Sequence, residues 1–318
     1  MNDLVLFLQL AVQLGTPLLF ATLGGILNDK VGNLNLGIEG MMMVGACAGF
    51  GVAYHTSSPL LSIVTAGVAS LLLSLLYALV TVTFKGNQTV TGFAITILGT
   101  GIANFSGESL SGLTLSPSFI RIMGIQIIPV LINIPILGTV LFSQSYLFHL
   151  SLWLAFGLYF YLKKTNYGLI MRMVGENPAA ADTSGINTTS YKYIHIALGG
   201  LLCGLGGAFL SLVFVPRWQD NIVAGMGWIA VALVIFSTWN PIKAIFGSYL
   251  FGLLRALSIK YQNISFRIGN NDISITSQII DMLPYLLTIV ILVLTTLSKK
   301  RENQAPAWLG KSYFREDR

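Results

Sequence analysis

Few of the 318 residues could do chemistry, and those that could are gathered in two stretches. In the first, Val31 to Ala46, Glu39 is a lone carboxylate inside an apolar run, with Gly32, Asn33, Asn35, Gly37 and Gly40 around it and Met41 to Met43 after it. Asn35 can cap a helix that begins at Leu36, which puts Glu39 in the first turn, where the helix dipole favours negative charge. Such a carboxylate must be hydrated, bonded to backbone N–H groups or protonated, and each option favours a bundle interior over lipid. Asn33, Asn35, Gly37, Glu39 and Met42 are therefore the candidates for lining a solute pathway. The polar groups suit hydroxyls, and methionine gives an adaptable apolar wall. A plainer reading has Glu39 fixing a helix start against Asn33 or a neighbouring span.

The second stretch is the long polar interruption from Lys163 to Lys192. Asn177 suits an N-cap and Pro178 the first helical position, where a missing N–H costs nothing, and Ala179 to Ala181 propagate the turn. Gly185 follows where a left-handed C-terminal cap belongs. The pattern predicts a short helix of about two turns held at the membrane surface, with Arg172, Gly175 and Glu176 leading into it. Such a helix can serve as a handle for a partner or can simply be a capped loop.

Other chemistry is missing from the sequence. There is no Gly-x-x-x-x-Gly-Lys-Ser/Thr run to cradle a nucleotide, no His-Glu-x-x-His and no Gly-x-Ser-x-Gly. His55, His149 and His195 are far apart, and Cys47 and Cys203 sit among small apolar neighbours as packing thiols. No catalytic site, metal or cofactor is expected. Asn177-Pro178-Ala179 matches the signature of water channels, but the second Asn-Pro, Asn240-Pro241, continues with Ile242, and charged residues flank the first.

The elements that must position these residues follow from composition. Charged residues make up 9% and hydrophobic ones 54%, far from the roughly 25% charged of soluble domains. The expectation is an all-α polytopic membrane protein of about nine helices, eight to ten by length. Apolar runs lie near 5–27, 36–54, 60–84, 90–107, 146–162, 193–215, 223–239, 243–259 and 281–298. The first reads as a retained span, since Asp3 stands where a signal peptide would be basic. Segment 117–142, broken by Pro117, Pro129 and Pro135, reads as an interfacial or re-entrant element on the outer side. Residues 1–298 thus form a transmembrane domain with a cytoplasmic loop near 163–192, and 299–318 a cytoplasmic tail.

Of the 18 lysines and arginines, Arg121, Arg217, Lys260 and Arg267 fall on one side, Arg255 lies deep in a span, and the rest share the other side, which is the cytoplasm. Their scatter, without aromatic interleaving, argues against nucleic acid. Arg255 must pair, meet water or snorkel outward. The spacings Gly45/Gly49 and Gly200/Gly204 would let backbones approach closely. The spans starting at 36 and 223 run oppositely, and both open after an asparagine with glycines nearby, which would suit an inverted repeat.

Gly168 to Ala181, with Gly185-Ile186, resembles the coupling loop of ABC importer permeases of the branched-chain amino acid, ribose and nucleoside permease superfamily. Gly32-Asn33-Leu34-Asn35-Leu36-Gly37-Ile38-Glu39-Gly40 resembles its nucleoside branch, guanosine-type permeases included. Pro216 to Asn221, the span from Gly225 and the closing Asn240-Pro241 are similar to the family too, so the resemblance runs from about Thr16 to Leu297. It implies a type II importer permease in the cell membrane, itself no enzyme, forming the pathway for a nucleoside. Arg172, Gly175, Glu176, Asn177, Pro178, Ala179, Ala180 and Gly185 would couple it to an ATPase. Implied partners are a second permease subunit in a heterodimer, the ABC ATPase subunit and an extracytoplasmic substrate-binding lipoprotein. The alternatives are a ribose-type sugar or branched-chain amino acid as solute, or an ion-coupled secondary transporter.

Overall fold

The computed structural model describes residues 2–127, 137–261, 264–268, 271–275, 282–297 and 304–314. Helix α1 (Asn2–Lys30) carries Pro17 inside it, and its neighbours Thr16 and Thr22 return their hydroxyls to the carbonyls of Val12 and Leu18 at 2.8 and 2.7 Å. The two hydroxyls are thus satisfied within the helix, as hydrocarbon demands. After α2 (Ile38–Thr56) come α3 (Pro59–Ala78), extended by a π-turn over Leu79–Thr83, and α4 (Gln88–Gly107). The connection between α4 and the next long helix holds α5 (Pro117–Met123), α6 (Leu137–Phe142) and a short antiparallel pair, β1 (Gln126–Ile127) with β2 (Ser143–Gln144). The described part of 117–142 therefore contains no span, while Pro129 and Pro135 lie outside the described residues.

Helix α7 (Tyr146–Lys164) leads to two short helices, α8 (Asn166–Glu176) and α9 (Pro178–Thr183). Then follow α10 (Thr188–Phe209) with a π-turn over Leu210–Phe214, α11 (Met226–Phe236), α12 (Pro241–Lys260), the hairpin β3 (Ile264–Ile268) with β4 (Asn271–Ile275), and α13 (Leu283–Leu297). Among the described residues the chain is all-α apart from these two small strand pairs.

Among the described residues, five helices are long and apolar enough to cross a membrane: Asp3–Lys30, Pro59–Thr83, Gln88–Leu110, Thr188–Phe214 and Pro241–Lys260. They match five of the nine apolar runs. The run at 223–239 differs, because its helix is only the 11 residues of α11. Left-handed backbone at Asn221, Ala224 and Gly225 ends the preceding turn late, and the same conformation at Thr238 and Trp239 stops the helix early. At about 1.5 Å per residue, α11 spans roughly half a bilayer core.

Helix α1 is the centre, packed on α10, α11 and α12, while α2, α3 and α10 form a second tight group. The two small-residue spacings meet each other there. A Cβ on Gly45 would strike the backbone of Gly204, one on Gly204 would strike Ala66 and Ser70, and Gly49 faces the Ala66 methyl at 3.1 Å. Polar links cross the same seams: Ser70 Oγ donates to the Gly200 carbonyl at 2.6 Å and Ser211 Oγ to that of Ala46 at 2.9 Å. Gly204→Val is expected to cost about 3 kcal/mol, the upper end for overpacking. Size-exclusion of a fluorescent fusion should show loss of the monodisperse peak, whereas Gly101→Ala, with open space around its Cβ, should keep it.

Candidate functional site

Helix α9 forms because its ends are locally satisfied. The Asn177 side chain accepts from Ala180 N at 3.0 Å, and Pro178 takes the first helical position. At the other end Gly185, φ +81°, lets Ile186 N reach the Ala181 carbonyl and Gly185 N that of Asp182, at 3.1 and 3.0 Å. That pairing is the Schellman arrangement, open at low cost to glycine. Pro178 and Ala181 are buried, whereas Asn177, Ala180, Thr183, Ser184 and Gly185 are exposed. One face is seated and the other is open.

The preceding polar segment is more ordered than its composition suggested, since Thr165 caps α8 through Gly168 N at 3.1 Å and Gly168, Met171, Val174 and Gly175 are buried along one side. Spacing of three and four residues carried that signal, but the short length hid it. Gly175 lies so close to α1 that a Cβ would strike the Lys30 carbonyl, and Gly32 faces it. The Arg172 Nε is buried without a bonding partner, and Glu176 is exposed.

The tail is tied to the same face. Trp308 N donates to the Gly175 carbonyl at 3.1 Å, Ala307 N to Glu176 Oε2 at 3.2 Å, and Tyr313 Oη to Asp182 Oδ2 at 3.1 Å. Ser312 Oγ reaches the Lys85 carbonyl at 3.1 Å, and Gln88 Nε2 the Lys311 carbonyl at 3.4 Å. Lys30, Lys85, α8, α9 and the tail thus lie together at one end of the helices. Sequence gave no sign of this docking, because a polar tail has no periodicity to read.

Gln88 also receives Leu34 N on its Oε1 at 2.7 Å, which joins the docked tail to the Glu39 stretch. Residues 33–37 are irregular and largely buried, and α2 starts at Ile38, two residues later than Asn35 as cap would require. Asn35 instead folds back on Gly37 N at 2.8 Å, and the helix begins without a side-chain cap. Asn33 Nδ2 reaches Thr81 Oγ1 at 3.4 Å while its Oδ1 is unpaired. Met42 is fully buried, with its carbonyl against Gly207.

Glu39, 8% exposed, remains in the first turn, but its oxygens serve another helix. Oε1 accepts from Gly225 N at 2.8 Å and Oε2 from Gly227 N at 2.6 Å, at the start of α11. Two positive helix ends meet, and one carboxylate sits between them. The Arg255 guanidinium of α12 is near enough to add an electrostatic interaction. From this meeting point α2 leads to Ser57, beside Ser116 in the connection after α4, while α11 leads to Trp239, whose Nε1 donates to Asp29 Oδ2 at 2.8 Å in the last turn of α1. The two helices depart in opposite senses, as an inverted pair would. Trp239→Phe removes the donor from a buried carboxylate and is expected to cost about 2 kcal/mol, read as a lower unfolding midpoint.

Membrane-length helices joined by small-residue seams define a multi-pass membrane protein. Residues 7–293 match the branched-chain amino acid transport system/permease component family, and the chain belongs to it. It is 35% identical over 326 residues to the putative glucose ABC transporter permease protein TsgC13 of Haloferax volcanii, covering 97% of each chain. It is 36% identical over 250 residues to the guanosine ABC transporter permease protein NupQ of Bacillus subtilis, covering 76% of this chain and 78% of that one. With the nucleoside ABC transporter permease protein NupC of Lactococcus lactis it shares 33% over 303 residues, 92% of this chain and 93% of the other. The chain is an ABC transporter permease subunit, a transport component and not the ATP-hydrolysing one.

Proposed function

We propose that this chain forms part of the translocation pathway of an ATP-driven importer for a nucleoside, with α9 as the element that receives the movement of the ATPase. The observation that carries the coupling role is the open face of α9, held rigidly by its two caps while its buried face and α8 lean on α1. Push on α9 and the load passes through Gly175 to Lys30 and Gly32 at the foot of α1, next to the Asn33–Glu39 stretch. Arg172, Glu176, Asn177, Pro178, Ala179, Ala180 and Gly185 lie along that route or at its surface. A second permease subunit would complete the pathway, and an extracytoplasmic binding lipoprotein would deliver solute to it.

Asn33, Asn35, Gly37, Glu39 and Met42 line the interior where α2 begins, and we assign them to the border of the pathway, with Glu39 as a positioning residue. The nucleoside assignment is supported by the guanosine and nucleoside relatives and by the Gly32 to Gly40 motif. A hexose is the second reading, favoured by the glucose relative that matches over 97% of this chain. Uptake by proteoliposomes holding the assembled transporter discriminates them. Labelled guanosine should accumulate on adding ATP and glucose should not compete; ATP-driven glucose uptake with no guanosine uptake would reverse the assignment.

A further inference from the structure

A cavity of about 390 Å³ lies between the π-turn that closes α3, the turn joining α9 to α10, and the tail. Into it faces Lys192, which is 6% exposed and has no hydrogen-bond or ion-pair partner among the described residues. The lysine is buried along its stem and leaves its ammonium to the cavity with no ion pair among the described residues, a position that an anion in the cavity would complete. The cavity is built to supply more than one positive contact. Thr188 and Thr189 lie four and three residues before Lys192, on the same face of the 22-residue α10, and present the positive end of that helix. Asn187 spends its side chain on Ser190 N at 3.0 Å, so the hydroxyls and first N–H groups of Thr188 and Thr189 stay available at the mouth. Lys85 also lines the cavity and brings a second ammonium to its border, where it lies 4.3 Å from the centroid of the Phe314 ring in the tail. Among the described lining residues Asp182 is the one carboxylate, and its Oδ2 accepts from Tyr313, a tail residue at the cavity.

We propose that this cavity binds a phosphate group, either free or as the headgroup of an anionic lipid in the cytoplasmic leaflet. Two ammonium groups, two hydroxyls and a helix N-terminus suit a dianion with several acceptor oxygens better than a single carboxylate. The cavity is also roomier than phosphate alone, which leaves space for what the phosphate is attached to. The site is separate from the Glu39 interior and shares with α9 only its C-terminal end, Asp182 and Gly185; its test reads binding by the isolated chain and does not depend on transport.

The test uses the purified full chain in uncharged detergent, without the ATPase, whose nucleotide site would bind phosphate itself. Unfolding midpoints are recorded against sodium phosphate, with sodium chloride of equal ionic strength as control, and against short-chain phosphatidylglycerol, with phosphatidylcholine as control. At least one phosphate-bearing probe is expected to raise the midpoint saturably above its control. Lys192→Met should weaken that response about tenfold or more in apparent Kd, the scale of a lost hydrogen bond to a charged group. A response to inorganic phosphate marks a free anion, and a response to phosphatidylglycerol alone marks a headgroup. If neither probe exceeds its control, or Lys192→Met titrates like the parent chain, the site does not exist as proposed. Methionine keeps the length of the lysine stem and removes an uncompensated charge, so the variant should fold. Should it not, Lys85→Met, at a half-buried position, carries the same criterion.

Discussion

Ala180→Pro is expected to cut ATP-driven uptake and solute-stimulated ATP hydrolysis at least about tenfold in the assembled transporter, with normal amounts of the chain in the membrane. The residue is the centre of α9. Its N–H is the one the Asn177 side chain caps at 3.0 Å, and its carbonyl receives Ser184 N at 3.1 Å, Thr183 Oγ1 at 3.0 Å and Ser184 Oγ at 2.8 Å. Proline deletes the donor and forces its ring into the first turn of a helix only six residues long, which has no second half to hold it. Ala180 is exposed, so the damage is to the handle and not to the bundle. Asn177→Ala, which loses only the cap, should cost about 1 kcal/mol and give a partial defect, and Asn177→Asp, which keeps an acceptor, a smaller one. Full coupling in Ala180→Pro would mean that the ATPase engages this chain elsewhere.

The α9 handle was legible because caps are local. Asn177, Pro178 and Gly185 carry their geometry in their own side chains or in the lack of one, and no distant contact is needed to place them. The glycine seams were half legible: Gly45/Gly49 and Gly200/Gly204 announced close backbones, but only three-dimensional packing reveals that they meet each other and α3. Hydropathy failed at α11, since the apolar run at 223–239 counts residues that the chain spends on left-handed turns at both ends. It also mislocated the start of α2. An asparagine can cap a helix or fold onto its own backbone two residues on, and Asn35 does the latter. The partner of Glu39 could not be read at all, because Gly225 and Gly227 offer nothing but main-chain N–H, which every residue except proline has.

That hidden pairing sets the second large effect. Glu39→Gln is expected to destabilise the chain by about 3 kcal/mol and to abolish most transport. The carboxylate accepts Gly225 N and Gly227 N with separate oxygens, at 2.8 and 2.6 Å. Glutamine has one acceptor and turns a donor toward the other N–H, so a buried bond is exchanged for a donor–donor contact, and two helix starts lose the negative charge between them. The weaker electrostatic attraction to Arg255 is lost as well. Gly227→Ala tests the same junction without touching the carboxylate, since its Cβ would lie 2.5 Å from the Glu39 backbone. If Glu39 acts by pinning α11 to α2, both variants should show a lowered unfolding midpoint and the same loss of uptake. A residue that instead contacted solute would give a raised KM with an unshifted midpoint. Glu39→Cys in a chain lacking Cys47 and Cys203 completes the distinction. Labelling by a water-soluble thiol reagent in the nucleotide-trapped transporter would place position 39 on the wetted path, and protection in every state would leave the pinning role alone. Normal midpoint and normal uptake in Glu39→Gln would remove this junction from the account of how α2 and α11 are held.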